Sequence, residues 1–226
     1  MTIGVVALQG AVREHVQLLE RLGARTVAVR TPSDLEGVRA LVLPGGESTA
    51  IARLARPSGL LGAIRERIDG GLPVLGTCAG LILLAERVAD PEALSGLPTI
   101  GGLDVTVRRN AYGAQLASGV ADIEFADGTM GRGVFIRAPR IERTGQGVAV
   151  VAARMGEPVA VRQGNVLAAA YHPELAGDAF LHALLLDAIA SPSSHTTVSE
   201  EMASSSGRAS HVAGVAPERS GIASTP

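Results

Sequence analysis

This sequence of 226 residues lacks lysine and tryptophan, and all 20 residues counted as lysine or arginine are arginines. A chain without lysine cannot form a lysine Schiff base with a carbonyl substrate, and it cannot carry the lysine of a phosphate-binding P-loop. Aromatic residues make up only 2% of the chain, whereas hydrophobic residues make up 46%. The core must therefore be built from valine, leucine, isoleucine and alanine.

Cysteine is also scarce. Cys78 is the single cysteine, which excludes an internal disulfide and is typical of a reducing compartment. The net charge of -2 provides no basic surface for nucleic acid or for a membrane. The chain has no apolar run long enough to span a bilayer, and residues 1–8 have no basic leader. We expect a cytoplasmic protein that binds neither nucleic acid nor membranes.

Strand-like and helix-like segments alternate in the first part of the chain. The continuous apolar runs that predict buried strands are 3–8, 26–29, 40–43 and 72–75. The segments that predict helices are 12–22, 49–54 and 60–69. This alternation predicts an α/β fold in which a parallel sheet has helices on both faces.

The pattern changes after about residue 98. Short strand-like runs follow at 102–107, 119–125, 133–136, 148–153, 158–161 and 166–171, and they predict an antiparallel or mixed extension of the sheet. A last helix is expected at 178–190, packed through Phe180, Leu181, Leu184 and Leu185. Residues 191–226 have too few large apolar side chains to offset the entropy of ordering. We therefore predict one domain at 1–190 and a disordered tail at 191–226.

A turn of the form Gly-x-Cys-x-Gly lies at residues 76–80, between the apolar runs 72–75 and 81–87. This order predicts a strand, a strained turn that presents a nucleophile, and a helix. The free N–H groups and the positive end of that helix favour a thiolate at Cys78. A buried structural cysteine is the usual alternative, but the flanking glycines favour a nucleophile.

His172 is the best candidate for the base, because it follows an apolar run in the region where ligand sites of parallel sheets gather. Pro173 favours an extended backbone, in which His172 and Glu174 face the same way. We therefore predict that Glu174 orients His172, and that His172 serves Cys78. The other histidines are expected to be ordinary surface, partly buried or tail residues: His15, His182, His195 and His211.

Acyl transfer also requires hydrogen-bond donors for the developing oxyanion. The backbone N–H of Ala79, the residue after the candidate nucleophile, is one candidate. The glycine-containing turn at 44–48 closes the third predicted strand and offers a second donor near Gly46. This turn is equally explained as a strand-to-helix connection with Ser48 as the helix N-cap, and both readings can hold together.

Three motifs together resemble the class I, or triad, glutamine amidotransferases: Pro-Gly-Gly-Glu-Ser at 44–48, Gly-Thr-Cys-Ala-Gly-Leu at 76–81 and His-Pro-Glu at 172–174. The stretches 4–10, 109–113 and 135–139 narrow the resemblance to the glutaminase subunit of pyridoxal phosphate synthase. The resemblance covers residues 1–190. One departure is Ala114, which stands where that family commonly has arginine.

This resemblance implies a three-layer flavodoxin-like fold with a mixed, mostly parallel sheet and an antiparallel extension. It also implies hydrolysis of L-glutamine to L-glutamate and ammonia by Cys78, His172 and Glu174, with Gly46 and Ala79 forming the oxyanion hole. The residues implied for glutamine binding are Gly46, Glu47, Ser48, Arg109, Ile136 and Arg137. Arg108 is expected to be a solvated surface charge. We expect no bound metal and no cofactor.

The implied partner is the synthase subunit, which receives the ammonia and uses lysine imines that this chain cannot form. Docking on that subunit is expected to rearrange the turn at Gly45 and Gly46 and to give full activity. Two alternatives stay open. One is the glutaminase subunit of another triad amidotransferase, such as imidazole glycerol phosphate synthase, and the other is a non-catalytic domain that only binds a partner.

Overall fold

The computed structural model describes residues 1–111 and 119–190. The strands within these ranges are β1 (Thr2–Val6), β2 (Arg25–Val29), β3 (Ala40–Leu43), β4 (Val74–Thr77), β5 (Ala85–Val88), β6 (Leu103–Arg108), β7 (Gly119–Phe125), β8 (Met130–Phe135), β9 (Arg140–Thr144), β10 (Ala149–Arg154), β11 (Glu157–Gln163) and β12 (Val166–Ala169). The helices are α1 (Val12–Arg21), α2 (Ser48–Ala55), α3 (Leu60–Asp69), α4 (Ala79–Leu84), α5 (Pro173–Ala176) and α6 (Phe180–Ala190).

Nine strands form one mixed sheet in the order β2-β1-β3-β4-β12-β11-β10-β7-β8. The first five strands of this order are parallel, and every later pairing is antiparallel. The parallel part is built from short, almost wholly apolar runs, as expected for strands that are covered on both faces. The predicted α/β class, with a parallel region and an antiparallel extension, is confirmed.

Helices cover both faces of the sheet, because the four residues of β3 are all buried and alternate between two apolar clusters. Leu41 and Leu43 pack in one apolar cluster with α2, α3 and α4. Ala40 and Val42 point to the other face and pack in a second cluster with α1 and α6. This arrangement is a three-layer sandwich. Within residues 1–111 and 119–190, no helix is long and apolar enough to cross a membrane.

The region after Cys78 differs from the prediction of one continuous helix. Helix α4 ends at Leu84, because Ala85 adopts an extended backbone with φ -64° and ψ 137°. Strand β5 then pairs with β6, and β6 pairs with β9, to form a separate three-stranded sheet. The run at 102–107 therefore does not extend the main sheet. Strand β9 escaped prediction because its sequence, Arg-Ile-Glu-Arg-Thr, has a single buried residue.

The parallel strands bring distant segments to one edge of the sheet. In the strand register, Leu43 at the end of β3 pairs with Gly76 of β4, and Thr77 at the end of β4 pairs with Ala169 of β12. The turn at 44–48, Cys78 and His172 each follow one of these strand ends. The carboxyl edge of the sheet thus gathers the candidate site residues. The predicted tail at 191–226 and the departure at Ala114 lie outside the described residues.

Candidate active site

Cys78 lies on a strained turn between β4 and α4. Its φ of 47° and ψ of -98° fall in a region that non-glycine residues rarely adopt. The flanking glycines are sterically required, because a side chain at Gly76 would meet Leu84 and one at Gly80 would overlap the Leu43 carbonyl. The Cys78 N–H donates to the Ala169 carbonyl at 2.8 Å, which fixes the turn to β12. The backbone therefore has the geometry expected of a nucleophile-bearing turn.

His172 and Glu174 form a buried pair. The His172 Nδ1 lies 2.7 Å from Glu174 Oε1, and the two residues are 6% and 5% exposed. The predicted contact is present, but the predicted extended geometry is wrong beyond His172. Pro173 begins the short helix α5, so that Glu174 reaches back to the imidazole from the first turn of a helix. Proline suits this position because its fixed φ matches the helix and its missing N–H is not needed there.

Gly45 is buried between the imidazole and the cysteine. A Cβ at Gly45 would overlap His172 Cε1 and would lie 2.8 Å from His172 Nδ1 and 3.1 Å from Cys78 Cβ. Burial alone would lower the pKa of His172, but hydrogen bonds with Cys78 and Glu174, together with their charges, raise it to about 10. The site therefore favours a protonated His172.

A cavity next to Cys78 is lined by every residue that the family resemblance implies for glutamine binding. Its lining residues are Gly46, Glu47, Ser48, Cys78, Ile82, Arg109, Asn110, Ile136 and Arg137. Sequence reasoning missed Ile82 and Asn110. Ile82 lies one helical turn after Cys78, to whose carbonyl its N–H donates at 3.2 Å, so its position follows from helical spacing. Arg108 lies outside this lining and pairs with Glu142, in line with its expected surface role.

Backbone strain is concentrated at this cavity. Among the described non-glycine residues, positive φ values occur at Cys78, Asn110, Arg137 and Met155. The first three of these residues line the cavity. Such conformations are unfavourable and persist where the surrounding structure enforces them, most often at binding and catalytic sites. Asparagine tolerates the left-handed region better than most residues, which is a sequence signal that could have identified Asn110.

Glu47 caps helix α2. Its carboxylate accepts hydrogen bonds from the N–H groups of Thr49 and Ala50, so the alternative assignment of Ser48 as N-cap is wrong. Burial would raise the pKa of Glu47, but hydrogen bonds from Thr49 and Ala50 and the charge of Arg109 lower it below its usual value. Arg109 Nη2 lies 3.5 Å from Glu47 Oε1. Arg109 Nε is buried, and no hydrogen-bond partner for it lies within residues 1–111 and 119–190.

The glycine turn is held by three further contacts. The Gly45 N–H donates to Thr77 Oγ1 at 3.0 Å, and the Gly45 carbonyl accepts from the Ala11 N–H at 3.0 Å. The Glu47 N–H donates to Gln9 Oε1 at 2.7 Å. Gly46 lies between these anchors and lines the cavity. Ala79 begins α4, so its N–H has no partner in the preceding helical turn.

His15 and His182 are both fully buried, contrary to the expectation of ordinary surface or partly buried residues. Burial lowers the pKa of His182 to about 4. Burial, followed by the charges of His182 and His172, also lowers the pKa of His15 well below its usual value. Both residues are therefore neutral near pH 7, while His172 is protonated.

These buried histidines predict that the protein loses stability as the pH falls from about 6.5 toward 4. An unfolded histidine takes up a proton near pH 6.5, whereas folded His182 does so only near pH 4. Each such group lowers the free energy of unfolding by up to about 1.4 kcal/mol per pH unit in this window. His172 contributes no slope there, because its raised pKa affects stability only between about 6.5 and 10.

Urea unfolding at pH 7, 6 and 5 measures this slope. The matched variant His182→Phe removes one of the two groups, and its free energy of unfolding should depend less steeply on pH than that of the wild type. A wild-type stability that stays constant or rises between pH 7 and pH 5 would contradict the buried neutral state of these histidines.

Residues 5–190 match the family model described as the SNO glutamine amidotransferase family. The pyridoxal 5'-phosphate synthase subunit PdxT of Mycobacteroides abscessus is 50% identical over 191 residues, which cover 83% of this chain and 96% of that protein. The subunit of the same name from Kineococcus radiotolerans is 52% identical over 200 residues, covering 83% and 94%.

Among solved structures, a crystal structure of a glutamine amidotransferase is 45% identical to this chain and superposes with a TM-score of 0.78. The similarity covers 83% of this chain and 98% of that one. The family model and the solved structure are therefore both of glutamine amidotransferases, and the matches to the relatives span nearly their full length.

Proposed function

Because this chain belongs to the SNO glutamine amidotransferase family, we propose that it is the glutaminase subunit of pyridoxal phosphate synthase. In this role it hydrolyses L-glutamine to L-glutamate and ammonia. The observation that carries the proposal is that Cys78 and all six residues expected to bind glutamine line the same cavity. The comparisons do not favour another triad amidotransferase.

In the first half of the proposed reaction, the Cys78 sulfur attacks the side-chain amide carbon of glutamine. The N–H groups of Gly46 and Ala79 donate hydrogen bonds to the amide oxygen and stabilise the negative charge that develops on it. Protonated His172 then gives its proton to the departing nitrogen, which leaves as ammonia. The product bound to the enzyme is a glutamyl thioester on Cys78.

In the second half, His172 changes from acid to base. Its pKa is raised partly by the hydrogen bond and the charge of Cys78, and both are lost once the sulfur is part of a neutral thioester. The imidazole is then neutral and can take a proton from the water that attacks the thioester. Glu174 keeps its hydrogen bond to His172 Nδ1 and so directs the other ring nitrogen to the reacting atoms.

Two arginines are placed to recognise the carboxylate of glutamine. Arg109 and Arg137 line the cavity. Guanidinium groups bind carboxylates through paired hydrogen bonds, so both side chains offer donors to a bound carboxylate. The carboxylate of Glu47 lies near Arg109, so this end of the cavity carries both charges needed to match an amino acid zwitterion.

The proposed partner is the catalytic subunit of pyridoxal phosphate synthase, to which the ammonia passes without release to solvent. This chain has no lysine, so imine chemistry must take place on the partner. Docking of the partner would rearrange the turn at Gly45 and Gly46 and complete the oxyanion hole. A single reactive thiol suits a reducing cytoplasm.

Glutamate release measured with and without the synthase subunit tests the proposal. We expect slow release by the free chain and at least about tenfold faster release by the complex, because one oxyanion donor alone can account for a hundredfold or more. Equal rates for the free chain and the complex would contradict partner-dependent activation, although not the glutaminase itself.

Covalent labelling separates the enzyme from a binding module. A glutamine analogue that carries an electrophile should label Cys78 in the complex, and the His172→Ala variant should not be labelled. If Cys78 stays unlabelled even with the synthase present, the chain is a binding module. A capture experiment with a mixture of the pyridoxal phosphate synthase subunit and the synthase of another triad amidotransferase tests the partner. If the chain captures the second synthase, it serves that other amidotransferase.

A further inference from the structure

Two histidines outside the proposed triad form a buried line of polar contacts behind it. His15 on α1 and His182 on α6 are both fully buried, and His15 Nδ1 lies 2.8 Å from His182 Nε2. On its other side, His15 Nε2 lies 3.1 Å from Thr77 Oγ1 and 3.4 Å from Glu174 Oε2. Within the described part of the chain, Glu174 Oε2 has no hydrogen-bond partner of its own.

The protonation pattern of this line follows from its unpaired atoms. If His15 Nε2 lacked a proton, its lone pair would face the carboxylate oxygen of Glu174, and the two would repel. His15 Nδ1–H would then donate to His182 Nε2, and His182 would be left with a buried Nδ1–H group. That atom has no partner among the described residues, and a buried unpaired N–H is rare and costly.

The opposite tautomers avoid both problems. His182 Nε2–H donates to His15 Nδ1, and His15 Nε2–H donates to Thr77 Oγ1. Glu174 Oε2 lies 3.4 Å from the same nitrogen, as an electrostatic contact of the N–H dipole with the carboxylate and not as a hydrogen bond. His182 Nδ1 is then left with an unpaired lone pair, in place of a buried unpaired N–H group. Burial keeps both rings neutral near pH 7, so His15 supplies a hydrogen-bond donor without adding a positive charge that would compete with His172 for Glu174.

We propose that His15 is a positioning residue, which holds the second oxygen of Glu174 so that the first oxygen stays aligned with His172, and that His182 fixes the tautomer this requires. The inference rests on the proposed glutaminase function. It assigns roles to two residues that are not among those lining the substrate cavity.

Thr77 connects this line to the glycine turn. Its Oγ1 accepts the Gly45 N–H at 3.0 Å and also contacts His15 Nε2. One buried hydroxyl thus joins the support of Glu174 to the turn that lies against His172 and Cys78. Around metal ions, outer residues that orient the ligands in a comparable way contribute about 10- to 100-fold to affinity or activity, and we take the same range here.

Kinetics of His15 variants in complex with the synthase subunit test the proposal. His15→Phe keeps a planar ring but removes the donor, and we expect kcat for glutamate release to fall by about 10- to 100-fold. KM for glutamine should change by less than about twofold, because the cavity is untouched. His15→Gln places an amide N–H near the position of Nε2 and should restore kcat to within about fivefold of the wild type.

His182→Phe provides a second, milder test. It removes only the donor to His15 Nδ1, so kcat should fall by about 3- to 10-fold, the loss expected for one hydrogen bond. Val16→Ala is the matched control, since it trims a partly buried side chain at the next position of α1. It should lower the melting temperature while leaving kcat close to the wild-type value.

The outcomes separate this inference from the proposed function. If the wild-type complex releases no glutamate, the proposed function fails and the inference fails with it. If the wild type is active and His15→Phe has the same kcat, only the inference is overturned. It is equally overturned if His15→Gln loses as much activity as His15→Phe, or if kcat simply follows the melting temperature across all variants, Val16→Ala included.

Discussion

Glutamate release by the synthase complex is expected to fall by at least about 10³-fold when Cys78 is replaced by alanine. Removal of a nucleophile eliminates the covalent route, and the remaining rate comes only from binding and oxyanion stabilisation. Ser48 is the lining residue with a hydroxyl group. It is 3% exposed and lies in the first turn of α2, not on the strained turn that presents Cys78, so it is not expected to take over.

The alanine variant isolates the chemistry because it leaves the fold unchanged. Alanine keeps the Cβ atom of Cys78, so the cost of the positive φ is nearly the same in both proteins. The melting temperature and the binding to the synthase subunit should therefore match those of the wild type. A Cys78→Ala complex that keeps a tenth or more of the wild-type rate would show that Cys78 is not the nucleophile.

Gly45→Ala is expected to reduce kcat/KM by about 10²-fold, although no catalytic group is removed. The added methyl group would overlap the imidazole of His172 and press against Cys78. Either the ring or the turn must shift, and a displacement of about 1 Å at a reacting group can cost a hundredfold in rate. Steady-state kinetics of the complex measures the loss, and labelling of Cys78 by a glutamine-analogue electrophile should slow in parallel.

Gly62→Ala is the matched control for this substitution. Gly62 lies within α3, and a Cβ there would meet no heavy atom within 4 Å. Alanine is a better helix former than glycine, so this variant should gain about 0.5–1 kcal/mol in stability and keep its activity. If Gly45→Ala is as active as Gly62→Ala, then Gly45 does not set the spacing between His172 and Cys78.

The local features of the site could be predicted from sequence, because they depend on neighbouring residues. Glycines on both sides of Cys78 indicate a sharp turn, and short apolar runs indicate buried parallel strands whose ends gather at one edge. The N-cap of α2 was predicted wrongly at Ser48, because serine is a preferred N-cap residue and glutamate is not. Only the positions of the Thr49 and Ala50 N–H groups decide for Glu47.

The supporting network could not be predicted, because it depends on contacts between distant segments. His15 and His182 are 167 residues apart, and each lies on a helix whose pattern gives an ordinary apolar face. Only the packing of α1 and α6 on the same face of the sheet brings them together. The helix after Cys78 was predicted to be too long for a related reason. Ala85 leaves the helix and pairs with Leu103, at the start of β6, which is distant in sequence.

The position of β12 has a consequence for how the protein acquires activity during its synthesis. This strand comes late in the chain, yet it is inserted between β4 and β11 in the interior of the sheet. Until residues 166–169 leave the ribosome, one edge of the strand that leads to Cys78 has no neighbour, and His172 does not yet exist as part of the fold. An incomplete chain therefore carries the thiol without its base, so glutamine is not consumed before the last third of the protein is made.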